Sequence, residues 1–267
     1  MSTSVYAHIT AVQADRGNLG DLMGFHIADA VLGAGRYDRL GIRSKDALPP
    51  GTVAIVGSLI AAVTQAPCRV VGGGLINGNR RDYAEHFRAD GVRGFLTQAV
   101  LERDARRRPE VIGDPGLLLA DLEPLPRAAR RKPLGFIVHA VDREEFVRRY
   151  PEHAEDIVDN YATRAEFVHA LAQYRAIAST SLHGCIFAHA YGVPVAPFVL
   201  TDQVFGGDFK FRDHYSALGI DIRRRPLEGS VDEILDAVQQ TPQPSREQID
   251  RLTARQWAVI RAALTAP

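Results

Sequence analysis

Cysteine is scarce in this chain of 267 residues, and long apolar runs are absent. The two cysteines, Cys68 and Cys185, lie far apart inside apolar stretches, which indicates buried free thiols in a reducing compartment. No apolar run reaches the ~18 residues of a membrane-spanning helix, and no charged and then apolar leader opens the chain. We therefore expect a cytoplasmic protein with at most peripheral contact at the inner face of a membrane.

The chain also lacks a net charge, because 32 basic residues balance 32 acidic ones. A neutral molecule has no overall field that draws it to nucleic acid or to anionic lipid. Local basic runs at 106–108 and 223–225 are typical of solvated surface, with contact to a phosphate-bearing or lipid-linked partner as the alternative. The charge balance therefore gives no indication of a polyanionic partner.

The common motifs of metal and nucleotide enzymes are missing. His183 and His189 are six residues apart and so lie on different helical faces, and no cluster of cysteine and histidine exists. The glycines at 72–74 do not follow the G-x-G-x-x-G spacing, and no Walker A or G-x-S-x-G motif is present. The sequence therefore predicts neither a metal site nor a dinucleotide site.

Short apolar runs alternate with segments of helical periodicity, which predicts an α/β fold with mainly parallel sheets. The predicted strands are 5–12, 68–71, 134–140, 175–179 and 195–200, with 52–60 as a strand or a strand-to-helix junction and 111–115 as a strand and turn. The predicted helices are 95–103, 142–149, 163–174, 182–191, 230–238 and 244–264, with a further helix that ends near Leu32. Ser230 and Glu233 have the spacing of a capping box.

A stretch rich in proline and arginine at 122–133 is typical of a linker. It predicts an N-terminal Rossmann-like domain at 1–125 and a C-terminal Rossmann-like domain at 133–242. Residues 243–267 are predicted to form a helix that packs at the domain junction. Two such domains enclose a cleft, and ligands of open parallel sheets bind at the carboxyl ends of the strands.

The segment 174–200 holds the strongest candidate site. A predicted strand ends at Thr180 and Ser181, and a predicted helix begins with His183 and Gly184. The start of a helix presents free N–H groups and the positive end of the helix dipole, which suits an anion. The dipole also disfavours a charged imidazole, so His183 is expected to be neutral and able to exchange protons, with a local packing role as the alternative.

Three further polar residues lie at the ends of predicted strands or in glycine-rich turns. His139 ends a strand, and Asp21 follows the turn at 17–20 as either a helix N-cap or a functional carboxylate. Arg93 lies between two glycines, where a guanidinium can fork onto a carboxylate or a phosphate. A structural or surface role is the alternative for each.

The segment 201–213 is predicted to be a polar, glycine-rich loop. It carries Lys210, Arg212 and Asp213, and such a loop can serve as a mobile cover over a bound anion. Ordinary surface charge is the alternative interpretation.

Six short motifs follow one another between about 18 and 219. They are Gly17-Asn18-Leu19-Gly20-Asp21, Val71-Gly72-Gly73-Gly74-Leu75, Val92-Arg93-Gly94 with Thr97, Gly113-Asp114-Pro115, Ser181-Leu182-His183-Gly184 through Gly192-Val193-Pro194, and Lys210-Phe211-Arg212-Asp213. Each motif is moderately specific, and the ordered set resembles the polysaccharide pyruvyl transferase family.

The resemblance implies two facing domains similar to the glycosyltransferase B fold. It also implies transfer of a pyruvyl group from phosphoenolpyruvate to two hydroxyls of a sugar, as a cyclic ketal, in a polysaccharide, a glycolipid or a lipid-linked saccharide. No redox cofactor and no obligatory metal are implied. A glycosyltransferase-B-like enzyme that uses a nucleotide sugar and a non-catalytic sugar- or anion-binding descendant are the alternatives.

The resemblance also implies roles for individual residues. His183, His139 and Asp21 are the catalytic candidates. The residues expected to bind phosphoenolpyruvate are Arg93, His183, Gly184, Ser181, Lys210 and Arg212. The residues expected in the acceptor or backbone loops are Asn18, Gly20, Gly73 and Gly74. Asp21, His139 and Asp213 remain open as the base that deprotonates the acceptor.

Ser181 departs from the family pattern, in which many members have Arg directly before the Leu-His-Gly sequence. The chain is also shorter than many members. One cation is therefore missing from the expected site, and the charge of the donor must be balanced from elsewhere in the chain.

Overall fold

The computed structural model describes residues 3–7, 17–41, 48–126 and 132–266, and it confirms the predicted α/β class. The strands are β1 (Ser4–Tyr6), β2 (Asp38–Leu40), β3 (Thr52–Ala54), β4 (Cys68–Val71), β5 (Arg88–Val92), β6 (Val111–Ile112), β7 (Lys132–Ile137), β8 (Tyr174–Ser179), β9 (Val195–Val199) and β10 (Arg225–Pro226). The helices are α1 (Leu19–Leu32), α2 (Phe95–Ala105), α3 (Leu119–Leu122), α4 (Arg143–Arg149), α5 (Arg164–Leu171), α6 (Leu182–Ala190), α7 (Phe209–Ala217), α8 (Val231–Gln239) and α9 (Arg246–Leu264).

Within the described ranges the strands form two parallel sheets. The first has the order β2-β1-β3-β4-β5-β6, and the second has the order β10-β9-β8-β7. In the first sheet the chain runs outward from β1 to β2 and then returns to the other side of β1 as β3. The carboxyl ends of β1 and β3 therefore flank a point where the direction of winding reverses, which is where open α/β sheets bind ligands.

The two sheets share a hydrophobic core. One cluster of buried side chains contains Leu118, Phe25 of α1, Phe187 of α6 and Ile260 of α9. A short 3₁₀ helix at Pro115–Leu118 contacts α1, α6 and α9, so apolar side chains from both halves of the chain are buried against one another. This shared burial fixes the two carboxyl edges relative to each other.

The C-terminal helix α9 is amphipathic. Its buried face includes Ile249 and Ile260, and it packs on β4, β5 and β6 as well as on α1. The described ranges contain no helix that combines the length and the apolar character needed to cross a bilayer. The predicted division at 1–125, 133–242 and 243–267 stays a prediction.

The predicted loop at 201–213 is wrong over its second half, because α7 begins at Phe209. Asp213 is fully buried and Lys210 is 8% exposed, whereas Arg212 lies on the exposed face of the same helix. The sequence shows no apolar stripe here, since much of the buried face of α7 is polar. Asp213 on this face has its partners in the first half of the chain, at Thr97 of α2 and at Arg93 directly after β5.

Other differences are local. Of the two alternatives for 52–60 the structure has the strand-to-helix junction, because β3 ends at Ala54, the chain turns at Gly57 with φ of 104° and a 3₁₀ helix follows at Ile60–Ala62. The short strands β2 and β10 and the strand β5 carry charged residues and were not predicted. The predicted capping box of α8 is confirmed. The part of the predicted first strand from residue 8 onward and the linker residues 127–131 lie outside the described residues.

Candidate active site

A cavity of about 500 Å³ lies between the carboxyl-terminal edges of the two sheets. The first half of the chain contributes Asn18, Asp21, Ser58, Ala61, Ala62 and Ile76. The second half contributes His139, Val141, Ser181, Leu182, His183, Gln203, Phe205 and Lys210. Segments that follow β1, β3, β4, β7, β8 and β9 thus converge on one space.

His183 lies in the first turn of α6 and packs against α1. A Cβ on Gly20 would overlap the imidazole, so only glycine at position 20 lets the ring approach the helix this closely. The ring stacks on Phe187 at 5.7 Å, and its Nε2 is buried without a hydrogen-bond partner among the described residues. Burial, followed by the charges of Arg93 and Lys210, lowers the pKa of His183 to about 3. The imidazole is therefore neutral at pH 7, and burial rather than the helix dipole is the first cause.

The two residues that flank Leu182 and His183 have different environments. Ser181 lines the cavity at the N-cap position of α6, and its backbone N–H donates to Ser179 Oγ at 3.1 Å. Gly184 packs α6 onto the second sheet, since a Cβ there would overlap Ser179 Oγ and lie 2.6 Å from Cγ2 of Ile137. Gly184 therefore serves close packing, and it is not a wall of the cavity.

His139 follows β7 and has a defined orientation. Its backbone N–H donates to Thr180 Oγ1 at 2.9 Å, and its Nδ1 accepts from the N–H of Val141 at 3.4 Å. An Nδ1 that accepts places the ring hydrogen on Nε2. Burial and the charge of Lys210 lower the pKa of His139, while Asp142 opposes them. His139 is therefore a neutral imidazole with Nε2–H as its donor.

Lys210 places an ammonium group in the wall of the cavity. Burial lowers the pKa of Lys210 to about 8, with further lowering by the charges of Arg93 and Arg224 and opposition from Asp21 and Asp142. Among the described residues no ion pair involves this ammonium. Lys210 thus remains largely protonated at pH 7 and available to an anion.

Asp21 lies in the first turn of α1 and faces the same cavity. Asn18, rather than Asp21, caps this helix, because its Oδ1 accepts from the N–H of Gly20 at 3.0 Å. Burial raises the pKa of Asp21 to about 7, and the charge of Lys210 opposes this change. Asp21 can therefore gain or lose a proton near neutral pH, which general acid–base catalysis requires.

Arg93 is fully buried and does not line the cavity. Its Nε donates to Asp213 Oδ2 at 2.9 Å, Nη1 to Ser58 Oγ at 2.8 Å, and Nη2 to the carbonyl of Leu75. A Cβ on Gly74 would overlap the guanidinium, so this glycine makes room for it. Arg93 is thus surrounded by protein partners rather than open to a ligand.

The carboxylate of Asp213 is satisfied by groups from the first half of the chain. Oδ1 accepts from the backbone N–H of Thr97 at 2.8 Å, and Oδ2 accepts from Thr97 Oγ1 at 2.6 Å in addition to Arg93. Asp213 is fully buried and absent from the cavity wall. A base in contact with the acceptor is therefore better sought at Asp21 or His139.

Ser58 is a wall residue that the sequence did not single out. Its Oγ accepts from Arg93, so its own proton is free to point to another acceptor. A hydroxyl polarised by a guanidinium is a good donor to an anion. The sequence feature that could have indicated Ser58 is the Gly57-Ser58 pair after β3, which lies within the segment predicted at 52–60.

The glycine run after β4 packs against protein. A Cβ on Gly72 would overlap Pro115, and one on Gly73 would lie 3.2 Å from the carbonyl oxygen of Gly57. Neither Gly73 nor Gly74 lines the cavity. The glycines expected in an acceptor loop instead allow β3, β5 and the Pro115 turn to pack closely.

Arg212 is a predicted site residue that lies outside the cavity. It lies on the exposed face of α7, in a separate depression lined also by Leu96, Ser216 and Gly219. Its helix neighbour Lys210 points into the cavity. The Lys-Phe-Arg-Asp motif therefore contributes one cation to the site and not two.

With this geometry established, comparison with known proteins is informative. Residues 70–201 match the family model described as polysaccharide pyruvyl transferase. The resemblance carried by the ordered motifs is thereby confirmed for this part of the chain. An uncharacterized protein of Acanthamoeba polyphaga mimivirus is 30% identical over 177 residues, which cover 62% of this chain and 60% of that protein.

The pyruvyl transferase match covers only part of the cavity. It includes Arg93, His139 and His183, whereas Asp21 and Lys210 lie outside 70–201. The chain spans about 60% of the length of the viral relative that it matches. Asp21, whose pKa is raised to about 7, and Lys210, whose pKa is lowered to about 8, are therefore cavity residues that the family match does not cover.

Proposed function

We propose that this protein transfers a pyruvyl group from phosphoenolpyruvate to two hydroxyls of a saccharide, forming a cyclic ketal. The observation that supports this is the convergence of Lys210, two neutral imidazoles and the near-neutral carboxyl of Asp21 in one cavity. The match of residues 70–201 to the pyruvyl transferase family makes this chemistry the best supported reading of that cavity. Two facing domains similar to the glycosyltransferase B fold form part of the same proposal.

The donor is held by one cation and several polar donors. Phosphoenolpyruvate carries a carboxylate and a phosphate, and Lys210 is the cation that the described part of the chain places in the cavity wall. The charge of Arg93 is balanced by Asp213, so Arg93 does not bind the donor directly. It polarises the hydroxyl of Ser58, and this hydroxyl donates to the donor anion. The free N–H groups at the start of α6 supply further donors to the anion.

Asp21 supplies the first proton. Its pKa of about 7 leaves a substantial protonated fraction at neutral pH, and a bound anion raises that pKa further through like-charge repulsion. Transfer of this proton to the methylene carbon of phosphoenolpyruvate leaves a cationic centre at the adjacent carbon. One sugar hydroxyl attacks that centre, and the ionised Asp21 is then the base that can accept the hydroxyl proton.

The second half of the reaction releases phosphate. The C–O bond to phosphate breaks, the second sugar hydroxyl attacks the same carbon, and its proton leaves with the phosphate. In net terms one hydroxyl proton ends on the new methyl group and the other on the phosphate. His139 and His183 donate or accept hydrogen bonds during these steps, since the low pKa of His183 makes it a weak base.

The test combines the protein with phosphoenolpyruvate and methyl glycosides of glucose, galactose and mannose. Phosphate release that requires both substrates, with a gain of one pyruvyl ketal in the mass of the glycoside, is the expected result. Phosphoenolpyruvate should also raise the melting temperature, while nucleoside diphosphates should not. The absence of both turnover and phosphoenolpyruvate binding would contradict the proposal, and stabilisation by a nucleoside diphosphate alone would favour a nucleotide-sugar enzyme.

A further inference from the structure

An exposed phenylalanine lies at the edge of the cavity and is not part of the hydrophobic core. Phe205 is 73% exposed although its ring contributes to the cavity wall. Val141, from the segment after β7, is 43% exposed and lines the same space. Exposed apolar side chains that border a ligand cavity are typical of a binding surface.

The chain on both sides of Phe205 is held in place. Val204 is 4% exposed. Gly206 has φ of 91°, and a Cβ there would lie 2.6 Å from Cγ1 and 2.7 Å from the carbonyl oxygen of Ile76. The segment is thus seated against the first half of the chain, and the fold determines where the ring stands.

The walls of the cavity divide into two chemical types. Asp21, His139, His183 and Lys210 form a titratable group suited to the donor anion. The other wall residues include Ala61, Ala62, Ile76 and Leu182, which are apolar. The donor is small compared with a cavity of about 500 Å³, so a second substrate has room beside it.

A sugar ring fits the surface that remains. A pyranose has an apolar face of C–H bonds and a rim of hydroxyls, and aromatic side chains pack on such apolar faces while polar neighbours bind the rim. Gln203 is exposed two residues before Phe205 and lines the cavity, so its amide can donate to and accept from hydroxyls. Both chemical requirements of a pyranose are therefore met on one segment.

We propose that Phe205, with Gln203, forms the acceptor subsite and stacks against the apolar face of a pyranose ring. This inference rests on the proposed function for the position of the donor. It assigns the acceptor to the segment after β9, rather than to the glycine run after β4.

The test measures the two substrates separately. Phe205→Ala should raise the KM for the methyl glycoside about 10-fold, because one aromatic stacking contact is lost. The dissociation constant of phosphoenolpyruvate, measured by calorimetry, should change less than about 2-fold because the donor contacts are elsewhere. Phe205→Trp should retain the acceptor KM, and Phe95→Ala is the matched control, since Phe95 is 50% exposed and lies outside the cavity wall.

Saturation-transfer NMR with the methyl glycosides separates this inference from the proposed function. Sugar binding that is lost in Phe205→Ala supports the subsite even if the protein shows no turnover. Turnover with an unchanged acceptor KM in Phe205→Ala overturns the subsite while the proposed function stands. Full retention of acceptor affinity in Phe205→Leu also overturns the proposed stacking subsite. An apolar side chain without a ring would then suffice, which is what binding of a lipid tail requires.

Discussion

The carboxyl edges of the two sheets contribute different chemistry to the same cavity. The edge of the first sheet contributes small or apolar side chains, the hydroxyl of Ser58 and the carboxyl of Asp21. The edge of the second sheet contributes the imidazoles of His139 and His183, and Lys210 follows from the next segment. In the proposed reaction the proton donor Asp21 and the hydroxyl of Ser58 come from the first half of the chain and the cation Lys210 comes from the second, so the proposed site needs both halves.

The largest expected effect follows from removing the acid on the first edge. Asp21→Asn should lower kcat about 10³-fold, within the range found for general acid–base groups. Asp38→Asn is the control, since this exposed carboxylate lies in the same half and outside the cavity wall. Phosphate release at saturating phosphoenolpyruvate measures the effect, and a kcat within a few-fold of the wild type would assign proton transfer to another group.

The same substitution has a stability signature whose sign follows from the raised pKa. The folded state holds the Asp21 proton more tightly than the unfolded state, so folding stability falls as pH rises from about 4 to about 7. Asparagine cannot ionise. Asp21→Asn should therefore be about 2 kcal/mol more stable than the wild type at pH 8, allowing for screening by the open cavity, and similar to it at pH 4. An equal difference at both pH values, measured by urea unfolding, would contradict the raised pKa.

The next effect concerns Lys210, the cation that the second half of the chain contributes to the cavity. Lys210→Met should weaken phosphoenolpyruvate binding about 100-fold, because a partly desolvated ion pair is lost. Arg212→Met on the same helix should leave binding unchanged, since Arg212 lies outside the cavity. Wild-type affinity should fall above pH 8 as Lys210 loses its proton, and Lys210→Met should lack this step. Calorimetry at pH 7 and pH 9 decides, and equal losses in both variants would show a general field rather than a contact.

The smallest effect tests whether Arg93 acts through Ser58. Ser58→Ala should weaken phosphoenolpyruvate binding about 10-fold, as expected for one hydrogen bond to a charged group. Ser58→Thr keeps the hydroxyl and should restore most of the affinity. The melting temperature of each variant serves as the control, because alanine leaves Nη1 of Arg93 without its serine partner. Unchanged affinity in a stable Ser58→Ala protein would show that the hydroxyl does not meet the donor.

Local signals made part of this arrangement predictable. The apolar run before Thr180, the helical spacing from Leu182 and the stop at Gly192 gave β8 and α6 within a residue or two. These signals suffice because each is contained in a few adjacent residues. The predicted roles of His139, His183 and Asp21 stay predictions, although the structure brings all three to one cavity.

Long-range pairing explains what the sequence could not provide. Asp213 was predicted to lie in a loop because its partners are distant in sequence, namely Thr97 on α2 and Arg93 directly after β5. Lys210 was predicted in the same loop because the cavity wall that it joins is formed by both halves of the chain. Arg93 was predicted to be a ligand-binding cation because nothing near it in the sequence indicates that Asp213 balances its charge. Ser58 accepts a hydrogen bond from Arg93, which is 35 residues away in sequence, so the Gly57-Ser58 pair alone could not show this contact.

The ion pair of Arg93 and Asp213 also affects how the chain folds during its synthesis. At roughly 5 to 20 residues per second, the ribosome makes Asp213 roughly 6 to 24 seconds after Arg93, from which it is separated by 120 residues. A guanidinium cannot be enclosed without its counterion except at high cost. The surroundings of Arg93, although formed mostly by the first half of the chain, are therefore complete only after α7 has been synthesised.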